Sequence, residues 1–390
     1  MPPLRSVLGR PSLVLFACMF ASQAGLLVLS PILPDLARDF GVSTATAGQL
    51  RTLSGATGGI TAVVLALAPR RPALRTLLSL GAALVAAGSV LSAAAPSFAT
   101  LAVAQGVIGV GIGVLIAVAI TASAEWTAPS ERARTLAWAI AGMPAAWVTG
   151  MPVAGAVAAV HWRLSWLALP ATTAVVALVL VRLAPPDRGA AAGRRGPAAW
   201  RRPDVARFTA AELLANAAWA GVLTYAGSLL IEGYGAPRTL VAAGLATTAA
   251  AMLPGTFVGR RRAAGAGVLA LVTLTLAQAV AVAALGAARP SAGVTLGLLA
   301  VMAFLNGWRS VVASAMGMNS APDDRLTVMA MRAAANQFGY LLGAAAGGLA
   351  LAAGGFPAVG ATFAALFVGG ALLHLAPRLV VEPRAVEAPA

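Results

Sequence analysis

The sequence predicts an all-α integral membrane protein, with twelve transmembrane helices in two parallel six-helix repeats around a central cavity. Three observations predict it. Hydrophobic residues make up 59% of the chain and charged residues 10%. A typical soluble domain carries about 25% charged residues, so this chain cannot cover a water-facing surface of ordinary size. Twelve apolar runs are each long enough to cross a bilayer. One 28-residue stretch also recurs, in degenerate form, half a chain away.

The elements follow in order. A membrane-spanning helix needs about 20 mostly apolar residues. Such runs lie at 12–33, 46–68, 76–95, 98–124, 135–160, 164–183, 207–231, 239–259, 264–287, 291–317, 327–353 and 357–377, called spans 1 to 12. The first reads as a span rather than a cleaved leader, because it continues into "SPILPDLARDFGVS" with no small-residue cleavage signature. Strands are not expected, since the runs are rich in Ala, Leu and Gly and show no sustained alternation. Residues 1–183 form one six-span half, 184–206 a basic linker, and 207–390 the second half.

The repeat is visible in "APSERARTLAWAIAGMPAAWVTGMPVAG", from Ala128, and "APDDRLTVMAMRAAANQFGYLLGAAAGG", from Ala321. Pro129 and Pro322, Arg132 and Arg325, Gly150 and Gly343, and Gly155 and Gly348 are each 193 residues apart. "FGVS" after span 1 answers "YGAP" after span 7. An even number of spans per unit gives both halves the same orientation. Parallel repeats of this kind face each other across a cavity near the midplane and rock about it.

The net charge is +15, and all 27 basic residues are Arg. They fall in short clusters between apolar runs instead of forming one patch, which points to membrane orientation and not to nucleic acid. With the N-terminus in the cytoplasm, inside segments collect 21 Arg and outside segments 5, leaving Arg309 within a span. That asymmetry puts both termini in the cytoplasm. The linker "RLAPPDRGAAAGRRGPAAWRRPDVAR" reads as a tether against anionic headgroups. Cys18, the one cysteine, sits in an apolar run and reads as a packing residue, which excludes a disulfide framework. With two His and one Cys, no metal or cofactor site is expected. The Gly-rich "GVIGVGIG" lies inside span 4 and lacks the Lys of a phosphate loop. No enzyme activity and no ATP-driven pumping are expected of this chain.

Several motifs resemble the major facilitator superfamily, over essentially the whole chain. "LPDLARDFGVSTATAGQL" is similar to the span 1–2 region of its drug/proton antiporter branch. "APSERARTLAW" and "APDDRLTVMAM" resemble its turns before spans 5 and 11. "GMPVAG" followed by "HWRLSW" resembles the antiporter signature of span 5 and the Gly-Trp-Arg segment after it. Two places depart from the family pattern: Arg70 stands where the loop between spans 2 and 3 usually has Asp, and Gln105 stands where span 4 usually has Arg. The resemblance implies that span 5 seals the outer side of the cavity when the carrier faces inward. Gly142, Gly150, Pro152 and Gly155, with Gly343 and Gly348 on span 11, are the residues for that seal. Plain helix packing is the alternative reading of the same glycines.

Polar residues within spans point to the cavity, because they are costly in lipid. Glu212, Asn216 and Trp219 are spaced i, i+4, i+7 and share one face of span 7. Gln23 is the repeat partner of Asn216, and Trp147 of Tyr340. With Gln105, Asn306 and Asn336, these line the expected cavity for a partly apolar ligand. Single Asn and Gln residues bridging helices would give the same pattern. Glu212 and Arg309 both fall in the half nearer the linker, within reach of each other. They form either a proton-exchanging pair or a static one, and Glu212 snorkelling to the interface is a third reading. Asp35, Glu125 and His374 are expected at interfaces, with Glu125 near Arg71 or Arg75.

Three functions fit. The first is a secondary exporter of small amphipathic compounds driven by protons, a monomer in the cell membrane. The second is an uptake carrier for a sugar or organic anion. The third is a non-transport membrane protein on this scaffold. The span 5 signature favours the first. The sparse polar lining disfavours a sugar, and the missing catalytic clusters disfavour the third.

Overall fold

The computed structural model describes residues 10–42, 44–68, 72–185, 199–236, 238–263, 267–287 and 291–375. Arg70 and Arg71 and most of the linker lie outside the described residues. The secondary structure of the described residues is helical, in twelve spans. Helix α1 runs Pro11–Leu27 and continues as Leu29–Asp39 through Val28, whose backbone is itself helical. Then come α2 (Thr44–Leu67), α3 (Leu74–Ala94), α4 (Phe98–Glu125) and α5 (Arg132–Ala158). Helix α6 is Leu164–Leu183, with a π-helical turn at Leu167–Ala171 that holds Pro170. The second half has α7 (Pro203–Tyr234), α8 (Arg238–Arg262), α9 (Val268–Ala287) and α10 (Ala292–Ser320).

Spans 11 and 12 are expected as separate runs, but Arg325–Leu375 is one helical element broken only at Gly354 and Gly355. Gly355 has φ +64, a left-handed value that Gly adopts without the Cβ clash. Two glycines thus replace a loop, and the segments before and after them are α11 and α12.

The internal repeat extends to backbone detail. Three-residue 3₁₀ turns, Pro129–Glu131 and Pro322–Asp324, lead into α5 and α11. Helices α1 and α7 both end at left-handed glycines, Gly41 (φ 64) and Gly235 (φ 61). Packing repeats as well: α1 lies along α5 and α7 along α11, while α2 lies along α4 and α8 along α10. Across the halves, α2 meets α11 and α5 meets α8, which are repeat-related crossings.

Apolar residues sit where the bilayer requires them. Every residue of α4 from Gly111 to Ala124 is buried, as expected of a helix that is apolar all round and central. Val103, Val160, Leu269, Val280 and Leu349 are exposed on the outer surface, where lipid accepts them. Among the described residues, eight segments are by themselves long and apolar enough to cross a membrane. The spans outside that set, α1, α7 and α8, include those that give Gln23, Glu212, Asn216 and Thr248 to the interior. The protein is multi-pass and membrane-embedded.

Candidate transport cavity

A cavity of about 590 Å³ lies between the two halves. Of the eight residues expected to line it, seven do: Gln23, Trp147, Asn216, Trp219, Asn306, Asn336 and Tyr340. Helices α1 and α5 join directly there, because Trp147 Nε1 donates to Gln23 Oε1 at 3.1 Å. Met19, Met143, Met151 and Met252 supply soft apolar wall that adapts to ligand shape. Gln278 Nε2 lies 3.5 Å from Asn306 Oδ1, and Asn336 Nδ2 the same distance from Gln337 Oε1.

Gln105 is the exception. It is fully buried and its Nε2 donates to Ser92 Oγ at 3.0 Å, bridging α4 to α3 away from the cavity. The bridging reading of a lone amide holds for this one.

Two arginines belong to the lining that sequence reasoning had placed with the orienting charges of the loops. Arg51, on α2, has its guanidinium carbon 5.5 Å from the Trp147 ring centroid. Arg332, on α11, is 8% exposed and also lines the cavity. The signal for Arg332 was its spacing: Arg332, Asn336 and Tyr340 are four apart and share one helix face.

Behind that wall, α7, α10, α11 and α12 bring four titratable side chains together. Arg309 Nη1 donates to Glu212 Oε1 at 2.6 Å, and Arg332 Nε to Glu212 Oε2 at 2.8 Å. Both Glu212 and Arg309 are fully buried. His374 Nε2 lies 3.9 Å from Glu212 Oε1, and its ring is 6.0 Å from that of Phe208. His374 is therefore not interfacial: it is 2% exposed inside the second half. Glu212 does not snorkel, since two guanidinium groups hold it in the interior. One carboxylate facing two arginines leaves the cluster with a formal excess of positive charge.

The cavity is closed on the side where the linker joins α6 to α7 and extends toward the opposite face. Its lining reaches Gly48 and Met151, near the far ends of α2 and α5. On the linker side, Thr327 Oγ1 donates to the Ala66 carbonyl at 3.2 Å, tying α11 to α2. Arg325 Nη1 donates to Glu125 Oε1 at 2.6 Å, tying α11 to α4. Trp138 on α5 packs edge-on against Phe257 on α8 at 5.1 Å. Glu125 thus pairs across the halves, and Arg75 donates instead to the Arg182 carbonyl within the first half.

Four of the five glycines expected to seal the halves against each other pack within them. A Cβ on Gly142 would meet the Phe16 carbonyl of α1, and one on Gly150 would meet Leu27 of α1 and Leu169 of α6. Gly343 faces the Ala217 carbonyl and Gly221 nitrogen of α7, and Gly348 faces the Tyr225 hydroxyl. Gly155 has nothing within 4 Å. Pro152 is exposed, and α5 remains one helix through it. In this conformation Gly142, Gly150, Gly343 and Gly348 pack inside their own halves, and Gly155 and Pro152 take no part in that packing. Arg163, in the "HWRLSW" segment, bonds Ala95 O at 2.6 Å and Asp39 at 3.0 Å, tying the ends of α3 and α1 to the start of α6.

Residues 15–277 match the sequence profile of the Major Facilitator Superfamily. A chloramphenicol resistance protein of Streptomyces lividans is 28% identical over 260 residues, covering 64% of this chain and 66% of that protein. An uncharacterized MFS-type transporter of Bacillus subtilis is 30% identical over 156 residues, 38% of each chain. The chain thus matches under two thirds of either relative's length. Two solved structures share the fold over nearly the whole chain. A human organic anion transporter has a TM-score of 0.78 at 16% identity, over 96% of this chain and 100% of that one. A proton:xylose symporter has 0.79 at 15%, over 94% and 95%. Twelve helices in two related halves, a cavity between them, and a family match over more than half the sequence lead to one conclusion: the chain belongs to the Major Facilitator Superfamily.

Proposed function

We propose that this secondary transporter exports small amphipathic compounds in exchange for protons, by alternating access, as a monomer in the cell membrane with both termini in the cytoplasm. The observation that carries the reading is the lining of the cavity. It is mostly apolar, rich in Met and Trp, and studded with a few amides, which suits a ligand that is greasy over most of its surface. A relative named as a chloramphenicol resistance protein supports a small, partly apolar compound as the cargo. Glu212, with Arg309 and Arg332, is the candidate for proton exchange, because it is a buried carboxylate one residue behind the wall. Transport of an amphipathic dye into inverted vesicles tests the reading. Uptake that follows an imposed proton gradient and collapses with an uncoupler is expected; uptake indifferent to the gradient overturns the coupling.

Alternating access requires the linker-side closure to break. Glu125→Gln removes the ion pair between α4 and α11. Such partly exposed pairs contribute about 0.2–1 kcal/mol, so the balance of states is expected to move by up to about fivefold. Ala66→Cys in a Cys18→Ser background reports it, since Ala66 is 3% exposed in this conformation. Faster thiol labelling at that position in Glu125→Gln is expected, and an unchanged rate would remove the pair from the closure.

A further inference from the structure

We propose that the cavity selects amphipathic organic anions, with Arg332 as the anchor for a carboxylate or similar group. This deepens the reading of the cavity as the substrate site and rests on it. The charged residues that line the cavity are Arg51 and Arg332, and no Asp or Glu lines it among the described residues. The buried acid of the neighbourhood, Glu212, is fully sealed and is engaged by Arg309 Nη1 and Arg332 Nε. Arg332 thus spends its Nε on Glu212. The rest of its guanidinium faces the cavity, where the side chain is 10% exposed. A planar fork of N–H donors in a low-dielectric wall matches the two oxygens of a carboxylate.

Two amides of the same wall, on α7 and α11, are held close to their helices. Asn216 Nδ2 and Gln337 Nε2 are buried and have no hydrogen-bond partner among the described residues, and both side chains line the cavity. Asn216 is 7% exposed and Gln337 1%. An anion entering this cavity meets positive charge in the wall and no acidic side chain among the described lining residues. A cationic ligand would meet the opposite: two arginines in the wall, a third behind it, and the carboxylate already taken. The apolar body of the ligand then lies against Trp147, Trp219 and the methionines.

Binding of three probes with one ring system and three charges, naphthoate, naphthamide and naphthylmethylammonium, to the purified full-length protein tests this. Naphthoate is expected to bind at least ~10-fold more tightly than the other two, the scale of a charge-assisted pair in a partly dry site. Arg332→Gln is expected to erase that preference by weakening naphthoate at least ~10-fold more than naphthamide. This variant keeps Glu212 paired one-to-one with Arg309. Arg332→Lys keeps the charge and loses the fork, so an intermediate preference is expected and serves if the Gln variant does not fold. Equal binding of the three probes to the wild type overturns the assignment, as does an unchanged naphthoate preference in either folded variant, or loss of both naphthoate and naphthamide together. The export reading fails separately. Charge-selective binding with no gradient-driven movement in vesicles would leave the anion site standing and remove the coupling.

Discussion

Glu212→Gln is expected to abolish gradient-driven transport and to destabilise the folded carrier by about 3–5 kcal/mol, the usual cost of removing one partner from a buried ion pair. Arg309 is fully buried and donates to Glu212 at 2.6 Å. Arg332 reaches the other oxygen at 2.8 Å, and His374 stands 3.9 Å away. A glutamine offers one carbonyl oxygen and no charge to two guanidinium groups, so they are left repelling each other in a dry interior. A proton-exchanging role alone would cost only the coupling. The structure adds a loss of stability and a displaced Arg332 in the cavity wall. Glu212→Asp retains the charge on a shorter arm and is expected to keep most of the stability while slowing turnover. The measurements are thermal melting of the purified protein in detergent and gradient-driven dye uptake in vesicles. Full uptake and an unchanged melting temperature in Glu212→Gln would remove this carboxylate from both roles.

The parts of this architecture legible from sequence are those a bilayer dictates. Apolar length sets the spans, and a polar group within one needs a reason to be there. Gln23 and Asn216, and Trp147 and Tyr340, stand out because they are polar or amphipathic at repeat-related positions, and all four reach the cavity. Other features depend on which way a helix faces. Helix α4 is apolar and Gly-rich on every side, so nothing in its sequence says whether Gln105 points to the cavity or to α3; the structure turns it to Ser92. Arg332 lies seven residues inside α11, close enough to a charged turn to be counted with it. Arg51 stands equally near the start of α2. Their positions along the helix, about two turns inside an element whose ends are polar, conceal that both side chains line the cavity. His374 is near the end of α12 and looks interfacial, yet Glu212 of α7 and Phe208 surround it. None of these neighbours is near in sequence, so spacing carries no trace of them.

The glycines show the same limit, and they give the second large effect. Gly343→Ala is expected to lower stability by about 1–3 kcal/mol, as overpacking between close helices does. A Cβ at this position would come within 2.1 Å of the Ala217 carbonyl oxygen and 2.7 Å of the Gly221 nitrogen. Both are backbone atoms of α7, which cannot rotate away as a side chain does, so α7 and α11 must part. Gly221 faces back: its own Cβ would lie 3.0 Å from the Gly343 carbonyl. This is a mutual contact of small residues, the kind that lets membrane helices approach closely. Gly150 is the repeat partner but not the physical equivalent. A Cβ there meets the methyl ends of Leu169 and Leu27 at 3.0–3.2 Å, and leucine tips can shift. Gly150→Ala is therefore expected to melt within a few degrees of the wild type. Gly155→Ala meets nothing and gains about 1 kcal/mol of helix propensity, so it is expected to match or exceed the wild type. An inter-half seal built on the repeat predicts the opposite, equal effects at Gly150 and Gly343. Melting of the three purified variants decides between them. Transport adds a second reading: α7 carries Asn216 and Trp219, and α11 carries Arg332, Asn336 and Tyr340. Parting those two helices displaces one whole wall of the cavity, so Gly343→Ala is expected to lose uptake while Gly150→Ala keeps it. A Gly343→Ala protein that melts and transports like the wild type would mean the α7–α11 contact is looser than its backbone distances state.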